Sequence, residues 1–122
     1  MSKTLAIDFD GVVHRYSRGW TDGAIYDPPV DGAREALLRL NAAGYQLILH
    51  TTRVRDEDQR TALNRWLWEN GLNGIFAEVT DRKPLAAAYI DDRAIHFTTW
   101  PEALHAVAIL HPPNPPSEGG AE

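Results

Sequence analysis

The chain contains no cysteine. Disulfides, zinc–thiolate centres and thiol nucleophiles are therefore excluded. Lysine is almost as scarce: only Lys3 and Lys83 occur, so ten of the 12 basic side chains are arginine, the type suited to bidentate contact with phosphate or carboxylate. No apolar run is long enough to span a bilayer. The N-terminus also lacks the apolar stretch and cleavage site of a secretory signal. A cytoplasmic protein with no membrane partner is the expectation. The formal net charge of −5 argues against a nonspecific coat on nucleic acid, though not against a local basic site.

What is present is material for a core. The chain is 43% hydrophobic over 122 residues, enough for one small domain. That domain is expected over residues 1–110. Residues 111–122, with Pro112-Pro113-Asn114-Pro115-Pro116 and Gly119-Gly120, read as a disordered tail.

The most informative stretch is Leu5-Ala6-Ile7-Asp8-Phe9-Asp10-Gly11. Thr4 to Ile7 reads as a buried strand that runs directly into two carboxylates. Residues two apart in an extended chain point to the same side, so Asp8 and Asp10 emerge together. Two ionised carboxylates that close repel unless a cation or a shared proton offsets them. A polar turn accounts for Asp10-Gly11 but leaves Asp8 unexplained.

The segment from Val12 to Asp27 has no helical or alternating period and is rich in glycine, arginine and aromatics. Its length marks it as functional or disordered, and its composition favours a folded flap in which Arg15 and Arg18 meet phosphate or another acidic group and Tyr16, Trp20 and Tyr26 either stack on a planar ring or pack the loop onto the domain. Beyond Pro28-Pro29, Asp31 is the expected N-cap of a helix to about Ala43, with Ala33, Ala36, Leu37, Leu40 and Ala43 on one face. Tyr45 to His50 is a second strand ending on Thr51-Thr52-Arg53. Asp56-Glu57-Asp58 opens a second helix that carries Leu63, Trp66 and Leu67 inward and stops at Asn70-Gly71. Further strands are expected at Ile75–Val79, Ala87–Ile90 and Ala94–Phe97. A last helix follows, capped by Thr99 with Pro101 in its first turn and Leu104, Val107 and Ala108 inward.

Strands alternating with helices predict an open, mostly parallel sheet with helices on both faces. Ligands of such sheets bind outside the carboxyl ends of the strands. Asp8 and Asp10, Thr51 and Thr52, and the Asp91-Asp92 pair all stand at such ends, and Lys83 lies in a loop feeding the fourth strand. Clustered carboxylates suit a hard cation such as Mg²⁺, and a carboxylate can also act as a nucleophile. Thr51 and Lys83 offer a hydroxyl, an N–H and a positive charge for phosphoryl oxygens. Singly, Thr51 reads more readily as a capping or turn residue and Lys83 as a surface charge, and Asp91-Asp92 also reads as a plain turn.

In this order the motifs resemble those of the haloacid dehalogenase superfamily of magnesium-dependent phosphotransferases. Asp8-Phe9-Asp10-Gly11-Val12 is similar to its first motif, Thr51 to its second, Lys83 to its third and Asp91-Asp92 to its fourth. The resemblance implies a three-layer Rossmann-like fold with no separate cap domain. It also implies Asp8 as nucleophile through an aspartyl-phosphate, and Asp10 as general acid/base that gives its carbonyl to the metal. Mg²⁺ would be held by Asp8, Asp10 and Asp92, with Asp91 in support. Arg53 after Thr51-Thr52 resembles a small, nearly capless subgroup; Thr52 and Arg53 are expected to bind substrate there, joined by Arg15, Arg18 and Trp20 of the flap. The implied substrate is a phosphomonoester, either a small molecule or a nucleotide or nucleic-acid end. The alternatives are a phosphotransferase or other hydrolase using the same Asp8, and a metal-binding regulatory protein without turnover.

Overall fold

Leu5, Ala6 and Ile7 are all almost wholly buried, so neither face of their strand meets solvent. They lie in β1 (Lys3–Asp8), the middle strand of a five-stranded sheet in the computed structural model of the chain, which describes residues 3–82, 88–91 and 95–110. β2 (Tyr45–His50) pairs with β1, and β3 (Glu78–Thr80) with β2. On the other side β4 (Ala88–Asp91) pairs with β1, and β5 (Ile95–His96) with β4. Every pairing is parallel, in the order β3-β2-β1-β4-β5. The chain is thus an α/β protein with an open parallel sheet. Its strand order reverses direction between β1 and β4, where such sheets hold their ligands.

Three helices accompany the sheet: α1 (Ala33–Ala42), α2 (Glu57–Glu69) and α3 (Trp100–Leu110). Their buried side chains, among them Leu37, Trp66 and Trp100, join one cluster with Leu5, Ile7, Leu47 and Leu49. Strand alternation puts those four on one face of the sheet, and the register pairs Leu5 with Leu47 and Ile7 with Leu49. Ala6 and Ile48 of the opposite face are also buried. No described helix is long and apolar enough to cross a membrane.

Several boundaries differ from those the sequence predicts. Asp31 does not cap α1; Gly32 does, in a left-handed conformation with φ 80° and no side-chain cap bond. The chain closes a turn from Val30 O to Ala33 N (2.9 Å), and only glycine enters that conformation without strain. β3 begins at Glu78 rather than Ile75, because Ile75 is spent in a turn back to Leu72 O while Glu78–Thr80 are the residues that pair with Ile48–His50. In α3 the inward stripe is Trp100, Ala103 and Val107, with Leu104 half-buried and Ala108 exposed. The stripe is set by Trp100, whose Nε1 donates to Val12 O (3.1 Å). Thr99 accepts from Glu102 N (3.4 Å), as expected of its cap. The second helix follows its expectation closely: Asp56 caps it by accepting from Asp58 N, and Asn70 ends it. Lys83, Asp92 and residues 111–122 lie outside the described residues, as do the expected strand ends at Ala87 and Ala94.

Candidate active site

Beyond β1 the chain folds back sharply. Phe9 O accepts from the backbone N of Val12, Val13 and His14, which returns His14 to lie beside Asp10. His14 is fully buried, and its Nδ1 stands 2.8 Å from Asp10 Oδ1. The other ring nitrogen, Nε2, accepts the backbone N–H of Asp27 (3.1 Å). In the tautomer whose Nε2 accepts this bond, the ring proton sits on Nδ1 and is donated to Asp10.

Arg53 completes the grip on this carboxylate. Its Nε donates to Asp10 Oδ2 (2.9 Å) and its Nη2 to Asp10 Oδ1 (3.0 Å), a bidentate fork. Its Nη1 donates to Gly23 O (2.6 Å) and Gln59 Oε1 (2.7 Å). Arg53 is only 4% exposed, and four of its bonds are made inside the protein. It therefore joins the flap and α2 to Asp10 instead of reaching outward. Burial acts to raise the pKa of Asp10, but hydrogen bonds from His14 and Arg53, with the Arg53 charge, outweigh it and hold the carboxyl below its ordinary value.

Asp8 ends β1, and His50 is its register partner at the end of β2. His50 Nδ1 lies 3.5 Å from Asp8 Oδ1, and its Nε2 faces Asp81 O at 3.2 Å. Because Ile7 pairs with Ile90, Asp8 and Asp91 terminate adjacent parallel strands, whose usual spacing is about 4.8 Å. Thr51 is buried and caps the 3-10 helix Thr52–Arg55 by accepting from Arg53 N (3.2 Å). As the acceptor of that bond its hydroxyl keeps a proton to donate. Thr52 is exposed on the first residue of the 3-10 helix.

The flap has a structure of its own. Ser17 donates to Asp27 through both N (2.7 Å) and Oγ (2.6 Å). Tyr26 hydroxyl donates to Gly19 O (2.7 Å) and accepts from Arg18 N (2.8 Å). Tyr16 and Tyr26 pack on His14 and on each other, so these two aromatics serve the flap itself. The Arg18 guanidinium sits over the Tyr26 ring, 4.2 Å from its centroid. Arg15 is exposed and lines another cleft, of about 580 Å³, with Asp31, Thr98 and Thr99. Trp20 is different: it is 62% exposed, with the Arg53 guanidinium 5.3 Å from its ring.

The structure thus brings together Asp8, Asp10, Thr51, Arg53 and Trp20, and sets Arg15 apart. His14, His50 and Gln59 belong to this constellation without having been singled out in the sequence. His50 was legible from its place at the end of β2, since parallel registration puts it level with Asp8; the other two depend on how the flap folds. No group of three or more acidic or histidine side chains able to hold a metal occurs among the described residues. No protein-family model matches the chain, and no curated protein matches it.

Proposed function

We propose that this protein is a magnesium-dependent phosphomonoester hydrolase of the haloacid dehalogenase type, with a Rossmann-like sheet and Asp8 as nucleophile. The observation that carries the reading is the placement of Asp8, with Asp10 two residues on, where the strand order reverses between β1 and β4. A reactive carboxylate at that point is positioned for a ligand in the crevice beyond the strand ends.

The donor chemistry fits a hard cation. Asp8 and Asp91 end two adjacent strands, with Asp92 next in sequence, and carboxylate and carbonyl oxygens are the ligands magnesium prefers. Asp8, the Asp10 carbonyl and Asp92 would hold it, with Asp91 in support. When bound, Mg²⁺ supplies positive charge to the phosphoryl oxygens and to the crowded carboxylates.

The steps belong to the chain's own groups. An Asp8 carboxylate oxygen attacks phosphorus, the bond from phosphorus to the leaving oxygen breaks, and Asp10 gives that oxygen a proton. Asp10 then takes a proton from water as the water attacks phosphorus, and the bond to Asp8 breaks to release phosphate. Thr51 and Lys83 contact the remaining phosphoryl oxygens. The hold of Arg53 and His14 on Asp10 favours its ionised form, the form needed for the second step. A phosphate dianion beside it raises its proton affinity, so the protonated form needed for the first step accompanies substrate. The substrate is a phosphomonoester carried by a nucleotide or a nucleic-acid end, and the leaving oxygen is that of the sugar hydroxyl. Asp8→Asn, isosteric but not nucleophilic, abolishes magnesium-dependent phosphate release while the circular dichroism spectrum stays that of the parent. Appreciable turnover by this variant would overturn the covalent mechanism.

A further inference from the structure

Trp20 stands out among the flap aromatics because its flap is braced yet its ring is open. Tyr26 ties Arg18 N to Gly19 O on the residues just before it. Gly23 lies so near that a Cβ there would touch the Trp20 ring at 3.4 Å and collide with the Gln59 amide. Gln59 and Gly23 both hold the Arg53 guanidinium. The same guanidinium stands 5.3 Å from the Trp20 ring centroid and forks onto Asp10. A single buried cation therefore separates an exposed, backed indole from the carboxylate pair. The ring is 62% exposed on this braced support beside Arg53, and a base π-face is the partner such a ring accepts without regard to sequence.

We propose that Trp20 is a stacking platform for a nucleobase one sugar away from the phosphate that Asp8 attacks. The proposal rests on the phosphatase reading for the phosphate and on the flap geometry for the base. The base would come from a free nucleotide or from the end of a nucleic-acid strand. A second feature separates these sources. Past Asp81, whose carbonyl meets His50, lies a cleft of about 440 Å³ lined by Arg55, Arg60 and Arg82 together with Glu78 and Asp81. Arg55 is engaged with Asp81 (2.8 Å), and Arg60 and Arg82 are exposed. These two arginines would assist only a substrate that carries further phosphates.

The test combines binding and turnover. In the Asp8→Asn background with Mg²⁺, calorimetry compares adenosine 5′-monophosphate with ribose 5-phosphate, which differ by the base alone. Trp20→Ala is expected to weaken the nucleotide about tenfold relative to the sugar phosphate. In the active protein, Trp20→Ala is expected to lower the ratio of kcat/KM for the nucleotide to that for the sugar phosphate by a similar factor. Equal losses on both ligands together with a lower Tm would overturn the platform, leaving Trp20 as a cover for Arg53. Base-dependent binding that needs Trp20, in a protein that hydrolyses neither compound, would uphold the platform and sink the phosphatase reading. A 3′- or 5′-phosphorylated oligonucleotide forms the last arm. Tighter binding than the mononucleotide, lost in Arg60→Gln/Arg82→Gln, upholds the platform with a strand end on it; equal binding of the two upholds it with a free nucleotide.

Discussion

At the scale of single residues, the question is what a carboxylate gains from being gripped on both oxygens. Asp10 accepts from His14 and Arg53 on one oxygen and from Arg53 on the other. Removing one partner of a buried pair costs about 3 kcal/mol, because the other charge is left without compensation. The pH dependence of that cost has a definite sign. A carboxyl whose pKa is lowered by folding contributes stability that is present above its unfolded value of about 3.9 and disappears as the pH falls through the folded value. Arg53→Met should therefore destabilise the protein by about 3 kcal/mol at pH 7, and the gap to the parent should narrow as the pH approaches 3. Urea denaturation at the two pH values measures it; a gap independent of pH would mean that Arg53 matters for its packing alone. Arg53 also shows where sequence reasoning reached its limit. Its place after Thr51-Thr52 marked it as a site residue, yet its direction depended on Gly23 and Gln59, which no periodicity brings together.

At the scale of elements, the two N-caps make a controlled comparison. Asp56 and Asp31 are the same residue type, each near the start of a helix, and chemistry alone ranks them equally. Asp56 accepts from Asp58 N (3.0 Å), whereas the turn closed at Ala33 puts Gly32 in the cap position and leaves Asp31 one residue outside. A Cβ at Gly32 would come no nearer than 4.0 Å to Trp100, so its cost is conformational and not steric. Gly32→Ala and Asp56→Ala should each destabilise by about 1 kcal/mol, while Asp31→Ala should change stability by less than about 0.5 kcal/mol. Chemical denaturation of the three variants decides it, and a loss at Asp31 equal to that at Asp56 would return the cap to Asp31. The same contrast explains which elements the sequence revealed. α1 and α2 carry long apolar stripes that survive small errors at their ends. β3, of three residues, is bounded only by its pairing with β2, and pairing is not written in a local pattern.

At the scale of the whole molecule, the sheet converts distance along the chain into adjacency. Asp8 and Asp91 are far apart in sequence, but β1 and β4 are parallel neighbours in register at Ile7 and Ile90, so both acids arrive at one end of the sheet. That convergence was legible because strands alternating with helices in a parallel sheet bring all their carboxyl ends to one edge. That edge is also where a cation would link the two halves of the sheet, β3-β2 on one side of β1 and β4-β5 on the other. A ligand that binds only the folded state stabilises it by mass action, by about 2.7 kcal/mol at a concentration 100 times its Kd. For a domain of this size that corresponds to a rise in Tm of roughly 5 to 10 °C. Saturating Mg²⁺ should raise the Tm of the parent protein by that amount in differential scanning calorimetry, and a chelator should reverse the rise. Asp8→Asn should lose most of the increment, whereas Glu69→Gln, exposed at the C-terminal end of α2, should keep all of it. An unchanged Tm with Mg²⁺ in the parent, or an equal rise in Asp8→Asn, would remove the metal from this edge of the sheet.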